Sequence, residues 1–133
     1  HARIRRHLTE RDGWGFTTLE CGKNLLSLLD DPQVDPSGAF LLDSVTALLS
    51  NEMFDERGGF DPDAAKRIRE DLTEFAAKTG STVFVSDYIY SDACEYSETV
   101  EAYRQGLATA DRALASVCER VIEISGGMEE IWK

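Results

Sequence analysis

The chain has 133 residues, 42% hydrophobic and 29% charged, with a net charge of −11 and a pI near 4.5. That is the composition of one modest globular domain. Its acidity argues against non-specific binding to nucleic acid or to an anionic membrane. No apolar stretch approaches spanning length, and there is no signal-peptide pattern. Cys21, Cys94 and Cys118 are widely spaced, and His1 and His7 are the only histidines. The cysteines therefore point to a reducing cytoplasm, with no disulfide framework and no zinc site.

In chain order, His1–Leu8 is a short helix candidate, and Arg11-Asp12-Gly13-Trp14-Gly15 is a turn. Phe16–Cys21 alternates as a strand does. Asn24–Leu29 reads as a helix stopped by Asp30-Asp31-Pro32. Ala39–Asp43 is an apolar run ending in an acid, the pattern of a strand buried in a parallel sheet. Val45, Leu48, Leu49 and Met53 follow at helical spacing, and Asp55–Phe60 is a flexible surface loop. Asp61-Pro62 opens a helix with the stripe Ala65, Ile68, Leu72 and Phe75, for which Gly80 is the C-terminal cap. Thr82–Ser86 is a second buried strand and runs into the polar cluster Ser86-Asp87-Tyr88. Ser97 caps the longest helix, with Val100, Tyr103, Leu107, Ala110, Leu114 and Val117 at three- and four-residue steps. Arg120–Ser125 is a third strand, and Gly126-Gly127 turns the chain into Glu130–Lys133, which can pair as a hairpin.

Strands alternating with helices of this length predict an α/β fold, a mostly parallel sheet with helices on both faces. Three strands make a thin sheet. Either the edges carry more, or one is missing at the start.

Several residues could carry chemistry. Asp43 stands at the carboxyl end of its strand, where open α/β sheets bind ligands, although it could equally cap the helix that follows. Asp87 holds the same position after the second strand, with turn capping as its alternative. If the strands are neighbours, the two acids suit Mg²⁺ completed by water and substrate phosphates. Arg3, Arg5, Arg6 and Arg11 surround His7. They disfavour its imidazolium and leave a neutral imidazole that can attack phosphorus. Arginines of this kind hold phosphate oxygens, or form only a solvated cationic face. Glu20 could accept hydrogen bonds from a base or ribose, or simply face solvent. Tyr88, Tyr90, Tyr96 and Tyr103 could stack on a ligand or serve in packing. The phosphate-loop pattern G-x-x-x-x-G-K-[ST] is absent, and so is G-x-S-x-G.

Taken together, these runs have a family likeness. RIRRHLTER (Arg3–Arg11), followed by Trp14 and TTLEC (Thr17–Cys21), resembles the R-I-x-x-H-x-x-x-R…W…T-x-E signature of the adenosylcobinamide kinase / adenosylcobinamide-phosphate guanylyltransferase family. LLDSVTALLSNEMF (Leu41–Phe54) is similar to its L-L-[DE]-x-[ILV]-T…[ST]-N…F segment, and VFVSDYIYSD (Val83–Asp92) lies where the family has V-[TS]-N-E-V. The run from Tyr103 to the terminal Lys133 matches its closing helix, strand and lysine.

The resemblance implies a P-loop NTPase-like fold and a cobalamin-biosynthesis enzyme that uses ATP or GTP with Mg²⁺. One step phosphorylates adenosylcobinamide, and the next passes GMP from GTP through a guanylylated histidine. Carried over by motif, that histidine is His7. Arg3 and Arg11 bind phosphates, Glu20 and Asp87 lie at the nucleotide, and Asp43 is the Walker B-like acid near the metal. Its partners are a nucleotide, a corrinoid and further copies of the chain, since family members form trimers with sites between subunits. The sequence departs from the family twice. The resemblance starts where the amino-terminal strand and Walker A loop should already have ended, so the chain is expected to be a fragment beginning after that loop. Asp87-Tyr88 replaces the family's Asn-Glu. The second departure motivates an alternative, a catalytically degenerate nucleotide- or corrinoid-binding or assembly module.

Overall fold

The computed structural model describes residues 17–87 and 97–133. The expected first helix, the Arg11–Gly15 turn, and Arg3, His7, Arg11, Tyr88, Tyr90 and Tyr96 lie outside the described residues.

The described chain begins with an irregular exposed stretch and a 3-10 helix, Leu25–Asp30. The strand expected over Phe16–Cys21 does not form at residues 17–21. Alternation alone does not make a strand; it needs a ladder partner, and none of the described strands supplies one. The Asn24–Leu29 helix is of the 3-10 type because a six-residue run is too short for the cooperativity of an α-helix.

Strand β1 (Ala39–Asp43) leads directly into helix α1 (Val45–Met53). The Asp43–Ser44 peptide is cis. Helix α2 (Ala64–Lys78) follows, then strand β2 (Ser81–Val85), helix α3 (Glu98–Val117), and strands β3 (Ile122–Ser125) and β4 (Met128–Ile131). β1 and β2 pair in parallel, with Leu41 opposite Val83 and Asp43 opposite Val85. β3 does not join them among the described residues. It pairs with β4 as an antiparallel hairpin through Gly126-Gly127, both at positive φ. The described residues thus form an α/β arrangement with two small sheets, one parallel and one antiparallel.

The core is built from the helices. Val45, Leu48, Leu49 and Met53 of α1, Ile68, Leu72 and Phe75 of α2, and Leu107, Ala110 and Leu114 of α3 are buried in one cluster. Ala64, rather than the expected Ala65, heads the α2 stripe, and Val117 at the end of α3 is exposed. Gly106 lets α3 approach α2 closely, since a Cβ there would stand 2.7 Å from Ala65 Cβ. Phe75 meets Phe40 and Phe84 edge-on, with centroids 5.4 and 6.4 Å apart, and so seats α2 on the parallel pair. That contact uses the sheet face of Phe40, Leu42 and Phe84. The opposite face, Leu41, Val83 and Val85, is exposed among the described residues. Described helices cover one face of this sheet, where helices on both faces were expected.

Local chemistry sets the element ends. Ser44 caps α1, its Oγ accepting from the Ala47 N–H at 3.1 Å. Ser97 caps α3 as the sequence predicts, with Glu98 and Glu101 in the first turn, where the helix dipole favours acids. Asp61 does not cap α2 directly. Its Oδ1 accepts from the Asp63 N–H at 2.9 Å, making an Asx turn just before the helix starts at Ala64. Gly80 follows the capping Thr79, and its role is close approach. Its N–H donates to Pro36 O at 2.9 Å, and any Cβ there would collide with the Ser37 backbone. The Asp55–Phe60 loop is a closed turn. Asp55 Oδ1 accepts from the N–H groups of Arg57 and Gly59 at 2.9 and 2.6 Å, and Phe54 bridges Phe60. No helix of the described residues is long and apolar enough to cross a membrane.

Candidate functional site at the carboxyl edge of the parallel pair

The parallel register brings two predicted site residues together. Asp43 closes β1 opposite Val85, and Asp87 follows two residues later, so both acids lie at the same carboxyl edge. Ser44 takes the capping role at α1, so Asp43 is not needed for it. Asp43 itself is solvent-accessible.

The backbone beneath Asp87 is tied down. Its N–H donates to Thr46 Oγ1 at 2.8 Å, across 41 residues of sequence. Thr46 lies in the first turn of α1, and its carbonyl accepts from the Tyr103 hydroxyl of α3 at 3.0 Å. Burial, and then the Asp87 carboxylate, push the Tyr103 hydroxyl above its ordinary value, which keeps it a donor. Tyr103 also meets Phe54 edge-on at 6.0 Å. The tyrosine is thus a packing and positioning group, as its plain alternative held. Thr46 is the threonine that ends the motif run Leu41-Leu42-Asp43-Ser44-Val45-Thr46, but nothing local in the sequence shows that its hydroxyl reaches the end of β2 or that Tyr103 bonds to its carbonyl.

Glu20 is exposed in the irregular stretch, and the structure ties it to neither acid. The anchored part of that segment is Asn24, in the left-handed region at φ 56°. Its N–H donates to Glu52 Oε1 at 2.9 Å, while Arg67 donates to Glu52 Oε2 at 2.9 Å and to Asp61 Oδ2 at 3.0 Å. Between them the Asn24 N–H and the Arg67 guanidinium satisfy a Glu52 side chain that is 7% exposed. Burial raises the Cys21 and Cys118 thiols, so neither is an activated nucleophile.

A groove of about 640 Å³ lies at the other end of α1, lined by Gly22, Lys23, Asn51, Phe54, Asp55, Glu56 and Arg57. Its charges are mixed, and the Asp55 carboxylate is occupied by its own turn. A nine-residue helix separates it from the edge that carries Asp43 and Asp87, a distance of about 13 Å. This groove and the pair of acids are therefore different places.

Among the described residues no group of three or more His, Cys, Asp and Glu side chains is placed to hold a metal ion. That is no dedicated cage. Two acids at one strand edge are nonetheless the donor set Mg²⁺ uses when water and substrate phosphates complete its shell.

No curated protein matches the chain. A family model described as cobinamide kinase / cobinamide phosphate guanyltransferase, CobU, matches residues 1–130, which includes the segments outside the described residues. The match runs through the histidine–arginine signature, β1 with Asp43, β2 with Asp87, and the closing helix and hairpin. The chain belongs to the CobU family of bifunctional kinases and guanylyltransferases of cobalamin biosynthesis.

Proposed function

We infer that this chain acts at a single site formed around the Asp43–Asp87 edge. There a nucleoside triphosphate phosphorylates the aminopropanol hydroxyl of adenosylcobinamide, and GMP from GTP is then passed to the phosphorylated corrinoid. The observation that best supports the site is the parallel register that carries both acids to one edge. In α/β sheets that edge is where ligands bind. On this reading β1 is the Walker B-like strand of a P-loop-type sheet.

His7 is the nucleophile of the transfer. Its neutral imidazole attacks the α-phosphorus of GTP. A P–N bond forms, the bond to the bridging oxygen breaks, and pyrophosphate leaves with the electron pair. A phosphate oxygen of the corrinoid then attacks the same phosphorus, and the P–N bond breaks to return the imidazole. Arg3 and Arg11 hold phosphate oxygens through bidentate contacts and keep His7 unprotonated. Glu20 accepts hydrogen bonds from the nucleotide, and Asp87 faces it from the end of β2. Asp43 would hold Mg²⁺. When bound, the ion neutralises charge on the phosphate oxygens. The active form is a homo-oligomer, a trimer, with sites between subunits.

Incubation of the protein with GTP labelled at the α-phosphate tests this directly. An acid-labile, base-stable phosphoramidate is expected on His7, and none on a His7→Ala variant. Full labelling of the variant would sink the role of His7. A second reading rests on Asp87-Tyr88 standing where the family has Asn-Glu. It makes the protein a nucleotide- or corrinoid-binding module without catalysis. Calorimetric binding of GTP without turnover would favour it, and appearance of the GDP-linked corrinoid would reject it.

A further inference from the structure

We propose that Thr46 is a positioning residue for the reaction: its hydroxyl latches the end of β2 onto the first turn of α1 and so holds Asp87 at the edge that Asp43 occupies. The proposal rests on the placement of the nucleotide at that edge.

Three observations lead to it. The β1–β2 ladder ends at Asp43 and Val85, so Asp87 lies beyond the last paired residues and sheet hydrogen bonds do not hold it. The bond that does hold it is its own N–H to Thr46 Oγ1 at 2.8 Å. Thr46 is fixed in turn from a third element, by the Tyr103 hydroxyl on its carbonyl at 3.0 Å. Asp43 reaches Thr46 through three peptide bonds, whereas among the described residues Asp87 reaches it through this side chain. A β-branched hydroxyl suits the task, because its χ1 is stiff and the oxygen is held in place. Without the acceptor, the Asp87 backbone gains freedom that the ladder cannot remove. The two acids then meet the nucleotide in a fixed relation only part of the time, which weakens orientation and not folding.

Thr46→Val keeps the shape and removes the acceptor, while Thr46→Ser keeps the acceptor. Tyr103→Phe is a second, milder variant that loosens Thr46 from the other side. Each is made in the complete protein. Two quantities are measured, the exchange rate of the Asp87 amide by NMR and the steady-state constants for the nucleotide in corrinoid phosphorylation. In Thr46→Val the Asp87 amide is expected to exchange faster by about tenfold, the upper range for one neutral hydrogen bond. KM for the nucleotide should rise severalfold at an unchanged melting temperature. Thr46→Ser should recover most of both, and Tyr103→Phe should move both the same way by less. Unchanged Asp87 exchange in Thr46→Val overturns the latch. Faster exchange with unaltered kinetics overturns the role in the reaction while leaving the functional reading intact. A wild-type protein that turns over neither substrate overturns the functional reading and the positioning role with it.

Discussion

Arg67 and Glu52 meet at 2.9 Å across the junction of α1 and α2, and the Glu52 side chain is 7% exposed where that of Arg67 is 42% exposed. The carboxylate is the inner partner, and it also receives the Asn24 N–H that anchors the segment leading from Glu20. Removing the guanidinium therefore strands a nearly buried charge. Arg67→Ala should cost about 2 kcal/mol in denaturant unfolding. Glu52→Gln, which keeps an acceptor for Asn24, should cost less. A double-mutant cycle with Arg67→Ala and Glu52→Gln should return a coupling of about 1 kcal/mol. Additive losses would show that the pair is not coupled.

Asp43 ends β1 and leaves helix capping to Ser44. Asp43→Asn should therefore leave the unfolding midpoint close to that of the wild type. Phosphoryl transfer should fall on the order of 10²-fold or more, and the Mg²⁺ dependence should move to higher concentration. Steady-state assays over a metal titration check this. A variant with normal turnover would remove Asp43 from the metal.

Gly106 faces Ala65 where α3 crosses α2, and a new Cβ would lie 2.7 Å from that methyl. Helix propensity alone says that Gly106→Ala stabilises by about 1 kcal/mol. Crowding between two packed helices works against it, at about 1–3 kcal/mol for an overpacked core. A net loss in the unfolding midpoint is expected. Combining it with Ala65→Gly should relieve the crowding, so the double variant should lose less than the two single losses added together.

Asp71 lies half-buried on α2, and burial, then the nearby Glu52 and Glu74 carboxylates, raise its pKa. The folded protein thus holds this proton to higher pH than the unfolded chain does. Its effect on stability is most favourable below the ordinary carboxylate range and is lost as pH rises through the raised folded value. Asp71→Asn should raise the melting temperature at pH 7 by about 1–2 °C, the small size reflecting solvent screening. The difference should close as pH falls below about 4. A gap that stays constant with pH would exclude the charge as its cause.

Lys133 closes the chain by donating to Ala115 O and Ser116 O at 2.8 and 3.3 Å, two carbonyls in the last turn of α3. An ammonium there satisfies acceptors that lack helical partners and complements the helix dipole. Lys133→Ala should lower stability by about 0.5–1 kcal/mol, and added salt should shrink the difference. Thermal melts at low and high ionic strength check it.

The sequence alone determined whatever depends on neighbours a few residues apart. The α1 stripe of Val45, Leu48, Leu49 and Met53, the Ser97 cap, the strand ending in Asp43 and the hairpin turn at Gly126-Gly127 were all legible, because helical period, side-chain capping and glycine at positive φ are local physics. The ordered family motifs were legible too, since residue type and spacing carry them, and the match over residues 1–130 bears out the family. Only the tertiary structure decided pairing and contact. It left residues 17–21 without a ladder and turned β3 to β4. It assigned Gly80 to a close approach to Ser37 and seated the Asp87 N–H on Thr46. Each of these needs a partner far away in sequence, and a strand, a close packing or a tertiary hydrogen bond exists only when that partner arrives. Asp43 and Asp87 show both sides. Their chemistry could be read from one strand end each, whereas their meeting at one edge depends on the parallel register of two strands separated by two helices.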